Sequence, residues 1–198
     1  MPSRRELLSG SNAAMLLIDH QVGTLGWVRC PDPKSVERNA VVLAKAAKLI
    51  KMPVVLTSSL EDMPQGPLIQ QLQRLLPDAF AARAKRQGIV DAMDDPKFAA
   101  AVASTGRKKL IVAGVTTEVC VMYPVATALS QGFEVHVVMD ACGSTSQTSL
   151  DMAFGRMAKE GAYLCTTLQI IAELAKDWVS EDGKVLNELL FTDVFPNL

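Results

Sequence analysis

Three kinds of side chain in this 198-residue chain could do chemistry together: the thiol of Cys120, the carboxylate of Asp19, and the cations Arg83, Lys85 and Arg86. Cys120 lies in Ala113-Gly114-Val115-Thr116-Thr117-Glu118-Val119-Cys120-Val121. Leu110 to Ala113 reads as a buried strand, Gly114 to Thr117 as a turn, and the pattern is helical from Thr117 onward. That places the thiol in the first turn of a helix at the carboxyl edge of a central strand. A helix N-terminus favours a thiolate, and α/β proteins gather ligands at that edge. The competing reading is a small buried hydrophobe. Asp19 closes the apolar run Leu16-Leu17-Ile18. A carboxylate there costs free energy unless something pairs it, and it is well placed to act as a base; a cap or turn residue is the alternative. A cation beside the thiol would lower its pKa and stabilise negative charge, although each of the three alone reads as part of an exposed basic loop.

Smaller signals surround these groups. Thr116 and Thr117 can cap a helix, and backbone N–H groups at that turn can face an oxyanion. Glu118 suits the helix dipole. Asp140 ends a strand as Asp19 does and reads as a structural turn. Of the two histidines, His136 lies mid-strand and reads as core, while His20 directly follows Asp19, an awkward place for a papain-like pair. Trp27 and Tyr123 could stack on a flat substrate or serve as interface or core aromatics. No HxxxH, CxxC, GxGxxG, GxxxxGK[ST] or GxSxG occurs, which leaves metal, dinucleotide, P-loop and serine-elbow functions unsupported. No metal and no cofactor are expected.

These groups must be held by a folded scaffold. The chain is 49% hydrophobic and 21% charged with net charge −1 and mean hydropathy +0.20. It can bury a large core and shows no disorder signature. Nothing points to nucleic acid or a membrane. Met1 to Glu6 lead into no long apolar run, so no secretory leader is expected, and the four dispersed cysteines read as reduced thiols of a cytoplasmic protein, with a mitochondrial location left open. Strand signals at 13–18, 53–57, 110–113, 133–139 and 162–165 alternate with helical ones at 35–51, 67–76, 96–104, 117–131, 146–160 and 167–178. A further short strand is expected at Gly88-Ile89-Val90. This alternation predicts a three-layer α/β/α sandwich around a mostly parallel, Rossmann-like sheet. Residues 1–182 read as one domain. Residues 183–198 form an apolar tail packed either on that domain or on a neighbouring subunit.

Taken together, Asp19 in Leu17-Ile18-Asp19-His20-Gln21, the basic loop near Lys85, Asp91-Ala92-Met93-Asp94 and the block around Cys120 resemble the isochorismatase-like cysteine hydrolases, above all their YcaC-like branch. Val135 to Cys142 is similar, more distantly, to mitochondrial isochorismatase-domain proteins. The resemblance implies an Asp-Lys-Cys triad: Asp19 as base, Cys120 as nucleophile, and Lys85 or Arg86 as cation. Spacing favours Arg86 and the family's usual chemistry favours Lys85, which is preferred here by a narrow margin. It further implies a cis peptide bond at Val115–Thr116, an oxyanion and substrate site around Val115, Thr116, Gln21, Trp27 and Tyr123, and homo-oligomers, dimers or rings. The implied reaction is hydrolysis of a small amide or related C–N compound through a thioester. Family members that cleave isochorismate lack the cysteine, and the histidine-bearing metal element of nicotinamidases is absent between Thr57 and Asp62. The alternative is a catalytically silent member acting as an oligomeric binding or assembly protein.

Overall fold

Uninterrupted apolar runs set the centre of the sheet. In the computed structural model, which describes residues 6–197, the strands are β1 (Ala13–Ile18), β2 (Val54–Ser59), β3 (Ala84–Arg86), β4 (Lys109–Gly114), β5 (Glu134–Val138) and β6 (Tyr163–Cys165). They form one parallel sheet in the order β3-β2-β1-β4-β5-β6. All six residues of β1 are buried, as expected of a strand covered on both faces. Ile18 pairs with Thr57 on one side and Gly114 on the other. A Cβ at Gly114 would sit 2.6 Å from the Ile18 carbonyl oxygen, so the close approach of β4 to β1 requires glycine there. The two edge strands are three residues long, short enough to discourage edge-to-edge association.

Helices α1 (Val22–Trp27), α2 (Pro33–Leu49), α3 (Gln70–Leu75), α4 (Pro77–Ala82), α5 (Pro96–Ser104), α6 (Met122–Ser130), α7 (Gln147–Lys159), α8 (Thr167–Ala175) and α9 (Glu181–Leu189) complete the described residues. Several start where the sequence supplies a cap. Asp32 accepts from Ser35 N with Pro33 in the first turn of α2, and Asp95 does the same for Lys97 N and Phe98 N ahead of Pro96. Helices α2, α8 and α9 pack together, while α6 packs on α7 and β5, and α5 on β2. The chain leaves β1 toward β2 and later returns to β4 on its other side. The connection therefore reverses between β1 and β4, and a crevice opens at their carboxyl ends.

Two local expectations are corrected. The short third strand is Ala84–Arg86, whereas Gly88 turns the chain with φ 103° and Ile89 and Val90 are exposed. The helix expected from Thr117 begins instead as a π turn, Thr117–Val121, with Met122 N–H reaching back to Thr117 O. Pro124 has no N–H to return to the preceding turn, so regular α spacing is not available there. Of the two placements open for the tail, packing on its own domain is observed within this chain: α9 runs through residue 183 and buries Leu186 and Leu189, with Leu190 buried just after it. The extreme N-terminal residues read for a leader, and Leu198, lie outside the described residues.

Candidate active site

Asp19 is the first residue past β1 and is completely buried. Its φ of 55° lies in the left-handed region, which aspartate tolerates better than most residues. The bend is secured by Asp19 N donating to Thr57 O at 3.0 Å, and by Gln21 N and Thr24 Oγ1 donating to Asp19 O, both at 2.7 Å. This turns the carboxylate into the crevice, where its Oδ2 receives Arg86 Nη2. Arg86 is held at three further acceptors: Nε donates to Thr57 Oγ1 at 3.1 Å, and Nη1 to Ile89 O at 2.6 Å and Val90 O at 3.4 Å. Thr57 in turn donates to Ala84 O at 2.8 Å. All three guanidinium nitrogens are thus hydrogen-bonded, which offsets part of the cost of burying the charge.

Arg86, not Lys85, therefore stands beside Asp19. The reason is the two-residue period of a strand, which sends neighbours to opposite faces. The Arg86 side chain is 1% exposed and that of Lys85 55%. Lys85 pairs with Glu61 at 3.2 Å, which Arg83 also grips through two nitrogens at 2.7 and 2.9 Å. Burial works against the Glu61 charge, but hydrogen bonds from Arg83, Ser58 and Lys85 bring its pKa down to about 2. The three cations of the basic loop thus divide between the crevice and a separate cluster behind it.

Cys120 faces the same crevice from the π turn, and the Val115–Thr116 peptide bond that precedes the turn is cis. Thr117 fastens the turn to the next loop, its N and Oγ1 donating to Gly143 O at 2.8 and 2.9 Å. Burial pushes the Cys120 thiol well above the usual thiol range and the Asp19 charge adds to the shift, against the opposing pull of Arg86 and of the main chain at Thr116. Burial likewise raises Asp19, while the charge and hydrogen bond of Arg86 restrain it. Burial thus works against the thiolate that a helix N-terminus alone would favour. Asp19 Oδ1 has no hydrogen-bond partner of ordinary geometry, and Asp19 and Cys120 interact through their side chains. The Cys120 N–H, expected to face an oxyanion, donates to Thr116 O at 2.8 Å.

Above these groups lies a cavity of about 470 Å³ whose wall includes Trp27, Leu60, Ile89, Val90, Val119 and Thr116. Of the other expected site residues, Val115 is fully buried beneath the turn. Gln21 braces the floor: its side chain donates to Ser59 O at 2.9 Å and to Gly66 O, and accepts from Ser59 N at 2.8 Å. Tyr123 sits on the outer face of α6 with Arg156 over its ring at 5.7 Å, away from the cavity. His20 is buried with Nε2 against Ala141 O at 3.0 Å, and Asp140 caps α8 through Thr167. Thr57, the carbonyls of Ile89 and Val90, and Thr145 on the rim went unread in the sequence. Only Thr57 left a trace, as the first hydroxyl after the apolar run Val54-Val55-Leu56. Among the described residues no group of three or more His, Cys, Asp and Glu side chains is arranged to hold a metal ion, and no helix is long and apolar enough to cross a membrane.

A buried carboxylate, guanidinium and thiol meeting at the carboxyl ends of three strands form a pattern that can be compared with known proteins. The model of the isochorismatase domain matches residues 13–169. The chain belongs to the isochorismatase family. It is 41% identical over 172 residues to the probable hydrolase YcaC of Escherichia coli strain K12, covering 86% of this chain and 81% of that one. YcaC from Pseudomonas aeruginosa, in a structure with hexane-2,5-diol and covalent acrylamide, is 38% identical and superposes with a TM-score of 0.91 over 98% of this chain and 94% of that one. The E. coli YcaC structure matches with the same TM-score, identity and coverage, and that protein is described as an octameric hydrolase of unknown specificity. This chain is thus an isochorismatase-like hydrolase of the YcaC branch, built on the family's α/β sandwich.

Proposed function

We propose that the protein hydrolyses a small amide or related C–N substrate through a thioester, with Asp19, Arg86 and Cys120 as the working triad. The observation that carries this reading is the meeting of Asp19, Arg86 and Cys120 at one cavity, with Asp19 Oδ2 held by Arg86 and Oδ1 making no hydrogen bond of ordinary geometry. In the first half-reaction Asp19 Oδ1 takes the proton from Cys120 as Sγ bonds to the carbonyl carbon. The carbonyl oxygen gains the negative charge as the tetrahedral intermediate forms. The proton on Asp19 then passes to the leaving nitrogen as the C–N bond breaks, releasing ammonia or an amine and leaving a thioester. In the second half-reaction Asp19 takes a proton from water, the oxygen attacks the thioester, and sulfur recovers the proton as the acid departs. Arg86 stays protonated throughout and keeps Asp19 oriented.

The covalent acrylamide in the P. aeruginosa relative supports a nucleophile in this branch, because acrylamide is an electrophile that thiols capture. The octameric E. coli relative supports a homo-oligomer here. An ammonia-release screen over an amide library tests the proposal. At least one amide is expected to turn over, with Cys120→Ala and Asp19→Asn both silent. Asp19→Asn removes a charge that raises the thiol pKa, so its thiol should ionise more readily even though catalysis is lost. Turnover retained in Cys120→Ala would defeat the proposal.

A further inference from the structure

The charged side chains on the cavity wall are Asp19, Arg86 and Glu118, and they do not balance. The Arg86 nitrogens are turned to Asp19, Thr57 Oγ1 and the carbonyls of Ile89 and Val90, so no cation is presented to an incoming molecule. Lys85 lies behind the strand, paired with Glu61. Glu118 does line the cavity, and its hydrogen-bond donors are all neutral: Ser144 Oγ at 2.7 Å, Thr145 Oγ1 at 2.9 Å and Thr145 N at 3.3 Å. Hydrogen bonds of this kind fix the position of the carboxylate without cancelling its charge. The remainder of the wall is largely apolar, with Trp27, Leu60, Ile89, Val90 and Val119.

Resting on the hydrolase reading for its chemistry, we infer that Glu118 is a charge filter: the site takes neutral or cationic carboxamides with an apolar body and rejects compounds bearing a carboxylate. An anion entering this cavity would be stripped of water with no cation to receive it and a fixed carboxylate facing it. A substrate ammonium or amide N–H directed toward Glu118 would instead gain a charge-assisted hydrogen bond. Glu118 is thus a specificity residue, separate from the three groups that would make and break bonds.

The test reads charge selection without needing turnover. Cys120 is alkylated with iodoacetamide, iodoacetate and 2-bromoethylamine, each rate is divided by that for free cysteine, and labelling is mapped by mass spectrometry. In the unmodified protein the normalised iodoacetate/iodoacetamide ratio should be about tenfold or more below one, the scale of like-charge repulsion at an effective dielectric between those of water and protein. The bromoethylamine ratio should exceed one. Glu118→Gln, which keeps the shape and most of the hydrogen bonds, should raise the iodoacetate ratio at least about fivefold. Should that variant fail to fold, added salt should raise the same ratio in the unmodified protein. Ratios near one in the unmodified protein, or ratios unmoved by both Glu118→Gln and salt, overturn the filter. A parallel series of 4-aminobutyramide, butyramide and succinamate should show succinamate with the lowest kcat/KM. If no amide turns over while the reagents still discriminate, the hydrolase reading falls and the filter stands.

Discussion

Arg86 gathers more buried contacts than its local sequence announces, and substitutions at adjacent positions should separate it sharply from Lys85. The planar guanidinium meets Asp19, Thr57 and two loop carbonyls at once, which a lysine ammonium on a flexible stem cannot reproduce. Arg86→Lys should lower kcat/KM on the best amide about 100-fold, the scale of losing one oriented electrostatic group. Lys85→Ala should stay within about twofold, as expected of an exposed ion pair. Steady-state kinetics on the two variants side by side checks both. His20 makes a second prediction. Burial lowers its pKa from 6.5 to about 4, so the folded state prefers the neutral ring and the unfolded chain binds the proton more tightly. The stability it contributes is fully present above pH 6.5 and is lost as pH falls toward 4, by about 3 kcal/mol in total. Urea melts of His20→Asn against the unmodified protein should show the variant missing that fall across the same window.

Among the elements, legibility follows how far each one declares itself locally. β1 and β4 were plain in the sequence because both faces are buried and the apolar run is continuous. β3 was not, because Ala84-Lys85-Arg86 has the composition of a basic loop and owes its extended form to pairing with Thr57, Ser58 and Ser59. Asp19 and Cys120 stood out from their positions just past strands. Which of Lys85 and Arg86 would face Asp19 did not, since the partner is 67 residues away and only the face of β3 decides the choice. The π turn also escaped notice, because its apolar spacing resembles that of an ordinary helix start. Thr57 joins two of these elements. Thr57→Val would leave Arg86 Nε without its acceptor inside the protein. It should cost about 1–3 kcal/mol in thermal or chemical melts and reduce turnover together with stability.

For the whole molecule, the parallel sheet and its helical layers were readable from alternation alone, the strand order was not, and the tail left two options open. Leu186, at 0% exposure, now places α9 in the layer with α2 and α8, with Lys45 and Asp193 paired alongside. Leu186→Ala should destabilise the fold by about 2–5 kcal/mol, the range for a large-to-small change in a filled core. Asp193→Ala, at a partly exposed pair, should cost no more than about 1 kcal/mol. Equilibrium denaturation distinguishes the two. Phe191 and Phe195 remain exposed, edge to face at 5.2 Å.

The three residues of β3 hold one cation on each side of the sheet. Sliding that strand by a single position against β2 would swing Lys85 into the crevice and carry Arg86 out to solvent. The lysine of the family pattern and the arginine of this chain are therefore neighbours in structural terms, one insertion or deletion apart in the connection before Ala84. Descent within such a fold could exchange the cation beside Asp19 without altering Asp19, Cys120 or any residue of the central strands.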